Sequence, residues 1–251
     1  MRLRFTPARG AGARRLVLRA ASAALALPGA LPTSTADARS ALSHASPTTD
    51  VALLARSHRV LSAEGEPLPG RRGISPRRPI TGVRTALPVI GRSVAPDGRR
   101  LLHVVLPGRP NGSRGWIEQG GTTLARTSWR IEVRTSRRRV LVYHRGRLER
   151  SFVAIVGKPS TPTPRGLFFV EESVRMPASS PGAPYALALS AHSDVLQEFG
   201  GGPGQVAIHG LAHLTGELGT ASSHGCIRLG DESIRWIAAH IAPGVPVRIT
   251  R

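Results

Sequence analysis

The chain has 251 residues and a formal net charge of +20, from 35 basic and 15 acidic residues. This length is sufficient for one large or two small domains, and a hydrophobic content of 40% excludes a wholly disordered chain. The single cysteine excludes an intramolecular disulfide framework, and no apolar run reaches the length of a membrane-spanning helix. The charge predicts a polyanionic partner without choosing between nucleic acid, a membrane surface and the cell wall.

Residues 1–38 are predicted to be an export signal. Five arginines precede a short apolar stretch over residues 16–31, and Ala36-Asp37-Ala38 fits a small-x-small cleavage site. Arg14-Arg15 resembles a twin-arginine signal, and the sequence does not choose the export route. An arginine-rich tail or a transit peptide is the alternative. Because the apolar stretch is too short for a permanent anchor, we expect an exported protein of the cell wall or a periplasm-like space, with no stable membrane span after signal cleavage.

Two segments follow the predicted signal. Residues 39–81 are rich in proline, glycine, serine and arginine, which predicts a solvated linker because such a composition buries little apolar surface. Over residues 82–124, short β-like runs alternate with turn sequences such as Pro110-Asn111-Gly112, which predicts a small β module. Its outline resembles a bacterial SH3-like wall-binding module. The alternative is an N-terminal extension packed on the next domain.

Residues 128–251 carry regular strand signals and one helical pattern. The predicted strands include a hairpin and five later runs: 131–134, 140–143, 152–156, 167–170, 185–190, 205–209 and 245–250. Asp231 is the expected N-cap of a helix with apolar residues at i, i+3, i+4 and i+7, and Pro243-Gly244 ends it. Many short strands with one helix predict a mainly β, β-sandwich-like domain.

The candidate site is a cluster of three histidines and the only cysteine: His209, His213, His224 and Cys226. The neighbours of Cys226 are polar or small, which favours a reactive thiol over a packed one. Gly225 permits a tight turn whose backbone N–H groups can converge on a developing negative charge. His224 and Arg228 would favour the thiolate electrostatically, and His209, at the end of an apolar strand, is the candidate general base.

Two alternatives to a nucleophilic thiol stay open at this point. A free cysteine can be an inert buried residue, because it packs as a small hydrophobe. The three histidines and Cys226 are also nominally a zinc or copper ligand set. A strand over residues 207–210 disfavours the metal site, since His209 and His213 would share a face only in a helix.

One longer motif resembles a known family. Ile208-His209-Gly210, followed by the run from Ser223 to Leu229 (Ser-His-Gly-Cys-Ile-Arg-Leu), resembles the active-site signature of the YkuD-type L,D-transpeptidases. The resemblance extends over roughly residues 128–250. It implies a peptidoglycan-remodelling acyltransferase that needs no metal or organic cofactor. The implied reaction attacks a tetrapeptide stem, releases D-alanine and cross-links two diamino-acid residues, with a role in cell wall organisation and cell shape.

The resemblance also implies roles for individual residues. Cys226 is the nucleophile and His209 the general base, oriented by the backbone carbonyl of Gly210. The oxyanion hole and the shape of the site come from the backbone N–H groups of Gly225 and Cys226 together with Ser223 and His224.

Three further residues receive alternative roles. Arg228 fixes the loop or meets a substrate carboxylate, and a salt bridge with Asp231 or Glu232 is equally open. Tyr185 and His213 line the donor groove or serve only in packing.

Other functions are retained beside a transpeptidase. The same thiol would serve an L,D-carboxypeptidase or hydrolase, and a non-catalytic cell-wall binding protein is the second alternative. A nucleic-acid partner is disfavoured, because aromatic residues for base stacking make up only 4% of the chain and an export signal is expected. The expected partners are peptidoglycan stem peptides and the anionic cell wall.

Overall fold

The computed structural model describes residues 47–251, so the predicted export signal lies outside the described residues. In this range the chain forms fifteen strands in three sheets and one α-helix, which confirms the prediction of a mainly β fold with one helix. Within the same range no helix has the length and apolar character required to cross a bilayer.

The first five strands form an antiparallel sheet in the order β4-β3-β2-β1-β5. Their bounds are β1 Thr49–Leu54, β2 Ala86–Val94, β3 Arg100–Val105, β4 Arg114–Glu118 and β5 Thr122–Thr127. The β-like runs expected within residues 82–124 correspond to β2, β3 and β4. Buried aliphatic residues of β1 to β4, among them Leu54, Leu87, Leu102 and Ile117, form the core on one face of this sheet.

The prediction of a solvated linker over residues 39–81 is wrong for residues 49–54. These residues are strand β1, which pairs with β2 on one side and β5 on the other. Val51, Ala52 and Leu54 are buried, and Ile74 is buried further along the same segment. The short apolar run of β1 was concealed because it is embedded in a long segment of polar, glycine-rich and proline-rich composition.

Eight later strands form a second, mixed sheet in the order β14-β12-β11-β10-β15-β6-β7-β8. Their bounds are β6 Trp129–Arg134, β7 Arg139–His144, β8 Arg147–Val153, β10 Gly166–Arg175, β11 Tyr185–His192, β12 Gln205–His209, β14 Ile227–Arg228 and β15 Pro246–Thr250. Two further strands, β9 Val156–Gly157 and β13 Ala221–Ser223, form a short parallel pair. The predicted hairpin is β6 with β7, and the later predicted runs overlap β8 and β9, β10, β11, β12 and β15.

The helix α1, Asp231–His240, packs against the eight-stranded sheet through its apolar face. Ile234 and Ile237 are fully buried, as the i, i+3 spacing predicts. The prediction of Asp231 as the N-cap is wrong, because Gly230 occupies that position and Asp231 is the first helical residue. The Asp231 carboxylate lies near the Leu211 amide, at 3.4 Å, and its charge lies at the positive end of the helix dipole.

Strand β10 joins the two sheets through consecutive phenylalanines. Because side chains alternate along a strand, Phe168 and Phe169 point to opposite faces. Phe168 belongs to the core of the eight-stranded sheet and Phe169 to the core of the five-stranded sheet, and each is only 1% exposed. The N-terminal sheet therefore shares its core with the domain that follows.

Two buried carboxylates of β10 hold residues 78–81 against this strand. Glu171 forms an ion pair with Arg78, and Glu172 accepts hydrogen bonds from the backbone amide and hydroxyl of Thr81, at 2.9 and 2.7 Å. Both glutamates are 1% exposed, so each requires such a partner. The end of the segment expected to be a linker is thus anchored by polar contacts that a composition argument does not foresee.

Candidate active site

The sheet brings the predicted nucleophile and base to the same edge. Strands β12 and β14 are parallel neighbours, with Ile208 opposite Ile227 and His209 opposite Arg228. His209 is the last residue of β12, and Cys226 directly precedes β14. Residues that are seventeen positions apart in the sequence are therefore adjacent in the fold.

Cys226 and His209 line one cavity of about 190 Å³. Its lining also includes His224, Arg228, Ser193, Leu196, Phe199, Gly204 and Gln205. Residues of the motif thus line part of the cavity, and one wall is formed by residues 193–204, the loop between β11 and β12.

The imidazole of His209 has a defined tautomer. Its Nδ1 lies 2.8 Å from the carbonyl oxygen of Gly210. A carbonyl can only accept, so Nδ1 carries the proton and Nε2 of the neutral ring is an acceptor. Burial lowers the pKa of His209, the nearby Arg228 lowers it too, and the hydrogen bond with Gly210 opposes both. The ring is consequently neutral at pH 7.

Two glycines make room for this histidine. A Cβ on Gly210 would overlap the carbonyl oxygen of Ala183, and one on Gly182 would lie 2.6 Å from Nδ1 of His209. The amide of Gly210 also donates to the carbonyl of Gly182, at 2.8 Å. Gly182 has a φ of +86°, a conformation that favours glycine. Sequence reasoning found Gly210 but missed Gly182, whose only signal is the Pro181-Gly182 turn dipeptide.

Cys226 is partly buried, and it is the one free thiol of the chain. Burial raises the pKa of this thiol, while a hydrogen bond from the Ala207 backbone and the charge of Arg228 lower it. Arg228 thus acts in the direction that the sequence suggested, but burial outweighs it. Both shifts favour the uncharged forms, a thiol beside a neutral imidazole.

The turn that carries Cys226 is held by hydrogen bonds from a buried serine. The hydroxyl of Ser223 donates to the carbonyl of Cys226, at 2.5 Å, and accepts from the amide of Gly225, at 3.2 Å. Thr163 donates to the carbonyl of Gly225, at 2.9 Å, from the loop before β10. Gly225 has a φ of +124°, so a glycine is required there. Its amide is already bonded to Ser223, which differs from the oxyanion role expected for it.

His224 and Arg228 contact the loops around the cavity. The exposed ring of His224 stacks on Phe199, with centroids 5.4 Å apart, and its Nε2 lies 3.4 Å from the ammonium of Lys158. Arg228 donates from Nη1 to the carbonyl of Thr215, at 2.7 Å, which ties down the loop after β12. None of the ion pairs within residues 47–251 joins Arg228 to Asp231 or Glu232.

Two predicted site residues do not line the cavity. His213 is exposed, and its Nε2 lies 3.0 Å from the carbonyl of Ala178. Tyr185 packs against the core of the eight-stranded sheet. His213 is thereby separated from the other members of the nominal metal set, and the described part of the chain gathers no group of three or more potential ligands.

Comparison with known proteins identifies the class to which this fold and cavity belong. Residues 128–249 match the family model described as YkuD, the L,D-transpeptidase catalytic domain. A protein of Bacillus licheniformis with the provisional name L,D-transpeptidase YkuD is 30% identical over 165 residues, which cover 63% of this chain and 92% of that protein. L,D-transpeptidase 1 of Mycobacterium tuberculosis is 31% identical over 116 residues, which cover 43% and 45% of the two chains.

Among solved structures, an L,D-transpeptidase of Mycobacterium tuberculosis matches with a TM-score of 0.42 and 17% identity, covering 65% of this chain and 93% of that chain. The chain belongs to the L,D-transpeptidase family. It is therefore a cysteine acyltransferase, of a class that acts in peptidoglycan cross-linking.

Proposed function

We propose that this protein forms peptidoglycan cross-links by a two-step acyl transfer at Cys226. The sulfur attacks the carbonyl between the diamino acid and the terminal D-alanine of a tetrapeptide stem. The C–N bond breaks, D-alanine leaves, and the acyl group remains on Cys226 as a thioester. An amine of a second stem then attacks the thioester, which releases the thiol and joins two diamino-acid residues.

The observation that carries this proposal is the shared cavity of His209 and Cys226 together with the tautomer of His209. Since Nδ1 donates to Gly210, Nε2 is the nitrogen available to take the thiol proton as the sulfur attacks. The same nitrogen returns that proton to the departing amine of D-alanine. In the second step it accepts a proton from the attacking amine and returns it to the departing sulfur of Cys226, so each turnover leaves the histidine unchanged.

The negative charge that develops on the attacked carbonyl requires a hydrogen-bond donor. The Gly225 amide is bonded to Ser223, and the hydrogen bonds described for residues 47–251 include none from the Cys226 amide. We assign the Cys226 N–H as an oxyanion donor, and Ser223 and Gly225 as residues that orient it. A positive charge on Arg228 beside the cavity favours the same transition state and a substrate carboxylate.

The direct test is release of D-alanine from a disaccharide-tetrapeptide. We expect Cys226→Ala to abolish release, and His209→Ala to reduce it by about 10²–10⁴-fold, the usual contribution of a general base. His240→Ala is the matched control, because this exposed histidine at the end of α1 lies outside the cavity. Equal activity of wild type and Cys226→Ala would refute the acyl-transfer proposal and revive a non-catalytic wall-binding protein.

The products separate transfer from hydrolysis. With an amine acceptor present, a transpeptidase gives a dimeric muropeptide in amounts that match the released D-alanine. An L,D-carboxypeptidase or hydrolase, which uses the same thiol, gives tripeptide alone. Mass analysis of both products from one reaction therefore shows whether the thioester is transferred to the amine or hydrolysed by water.

A second test probes the nucleophile without a stem peptide. A carbapenem carries a strained carbonyl that a reactive thiol opens to give a stable acyl adduct. We expect intact-mass analysis to show one adduct on wild type and none on Cys226→Ala. A folded wild-type protein without an adduct would contradict an accessible nucleophile in this cavity.

The basic N-terminal half supports attraction to the anionic wall. Arg71, Arg72 and Arg77 line a cleft of about 1010 Å³, and none of them takes part in the ion pairs of the described residues. We propose that residues 1–38 direct export and that this cleft then favours wall polymers. Sedimentation with isolated walls at graded salt tests the attraction, and binding should weaken as salt rises. Steep salt-dependent binding to DNA, with none to walls, would contradict it.

A further inference from the structure

One wall of the active-site cavity is a loop whose own residues bury little surface. Residues 193–204 connect β11 to β12, and Leu196, Phe199 and Gly204 line the cavity. Val195 and Phe199 are 53% and 54% exposed. The loop also contains four glycines, which lose much conformational freedom on ordering. Burial alone therefore does not define the position of this wall.

Arg109, in the turn between β3 and β4 of the N-terminal sheet, crosses to both ends of this loop. Its Nη2 donates to the carbonyls of Ser193 and Leu196, each at 3.0 Å, and to that of Pro203 at 3.3 Å. Its Nε donates to the side-chain oxygen of Gln197, at 3.1 Å. One guanidinium thus links the beginning, middle and end of the cavity wall.

Asn111, two residues further along the same turn, holds the start of the loop. Its Nδ2 donates to the carbonyl of His192, at 2.6 Å, and to the carboxylate of Asp194, at 2.8 Å. Its Oδ1 accepts from the amide of His192, at 2.8 Å. The two hydrogen bonds with the His192 backbone fix the point at which the loop leaves β11.

We infer that Arg109 and Asn111 are positioning residues for the wall of the active-site cavity formed by residues 193–204, supplied by the N-terminal module, strands β1 to β5 and their connections. The expected change in KM rests on the proposed function, because only an active transpeptidase has a KM for the tetrapeptide. Both side chains act through residues 193–204, which place Phe199 against His224, and neither lines the catalytic cavity. The N-terminal module therefore contributes to recognition of the stem peptide in addition to any attraction to the wall.

The kinetic test compares Arg109→Ala and Asn111→Ala with wild type in the D-alanine release assay. We expect KM for the tetrapeptide to rise by about tenfold and kcat to change less, because the wall contacts the substrate and not the sulfur. Arg114→Ala is the matched control, since Arg114 is an exposed arginine of β4 in the same module. Alkylation of Cys226 by iodoacetamide should not slow, since this small reagent does not use the wall.

A charge exchange tests the contact without truncating a side chain. Asn111→Asp is isosteric but places a carboxylate against that of Asp194, so it should loosen the loop and raise KM. Adding Asp194→Asn restores a donor–acceptor pair and should recover part of the loss. An unchanged KM in Asn111→Asp, or no recovery in a double variant whose unfolding temperature equals that of wild type, would overturn the inference.

Hydrogen exchange separates failure of this inference from failure of the proposed function. In the full-length protein, Arg109→Ala and Asn111→Asp should speed amide exchange in residues 193–204 and leave α1 unchanged. If wild type releases no D-alanine, the proposed function fails while exchange still reports on the contact. Unchanged exchange in both variants overturns the inference, and so does faster exchange with an unchanged KM in an active enzyme.

Discussion

Removal of the Ser223 hydroxyl offers the sharpest test of how the cysteine turn is built. Ser223 is fully buried, and its hydroxyl holds the carbonyl of Cys226 and the amide of Gly225. Ser223→Ala leaves both backbone groups without this partner. Each unsatisfied buried group costs about 1–3 kcal/mol, so for the two groups we expect a loss of about 2–6 kcal/mol in the free energy of unfolding.

The expected loss is large enough to measure directly. For a chain of this size, about 1 kcal/mol corresponds to a shift of about 2–4 °C in Tm, so Ser223→Ala should unfold roughly 4–24 °C below wild type. Because the same hydroxyl places the Cys226 backbone, we also expect kcat for D-alanine release to fall by about 10–100-fold. Calorimetry and the release assay measure the two effects on one preparation.

The neighbouring serine is a matched control. Ser222 is exposed, and its hydroxyl bonds only with that of Thr220, at 2.9 Å, among the described side-chain contacts. Ser222→Ala should therefore change the free energy of unfolding by less than about 0.5 kcal/mol. If Ser222→Ala and Ser223→Ala have the same Tm and the same kcat, the reasoning about the cysteine turn is refuted.

Three further predictions concern the proposed base His209, the glycine that supports it and the core shared by the two sheets. Because burial lowers the pKa of His209, kcat/KM should rise with pH through a pKa below about 6.5. Because burial raises the pKa of Cys226, the rate of its alkylation by iodoacetamide should still increase above about pH 8.5. An alkylation rate that reaches a plateau below about pH 7 would indicate a thiolate–imidazolium pair instead. Gly210→Ala should lower kcat more than tenfold, because its methyl group would overlap the carbonyl oxygen of Ala183 and displace His209. A kcat equal to that of wild type would contradict this prediction. Phe169→Ala should lower the free energy of unfolding in urea by about 3–5 kcal/mol, because this side chain is fully buried. Phe199→Ala, at a half-exposed residue, should lower it by less than about 0.5 kcal/mol. Equal losses in the two variants would rule out the shared core.

The parts of this fold that local pattern determines were predictable from the sequence. The β6–β7 hairpin and the face of α1 follow from periodicity, because strands and helices repeat their buried positions every 2 and 3.6 residues. The motif at residues 208–210 and 223–229 also identified the candidate nucleophile and base. These signals are local, so they survive without knowledge of the partners that each segment contacts.

Composition was a poor guide where a short element is embedded in a polar segment. Strand β1 lies inside the predicted linker because six residues of suitable pattern are outweighed by the prolines, glycines and arginines around them. Its stability comes from pairing with β2 and β5, which are distant in the sequence. No window of composition contains that information, since the partners supply both the hydrogen bonds and the buried surface.

For the site, the sequence by itself determined which residue types are available: one thiol, the neighbouring histidines and the glycines that permit tight turns. Only the tertiary structure decided which of these residues come into contact and how their pKa values are shifted. Parallel pairing of β12 with β14 brings His209 to Cys226, whereas His213 turns toward Ala178. Burial then lowers the pKa of His209 and raises that of Cys226, because the pKa of a group depends on the surroundings that the whole fold creates.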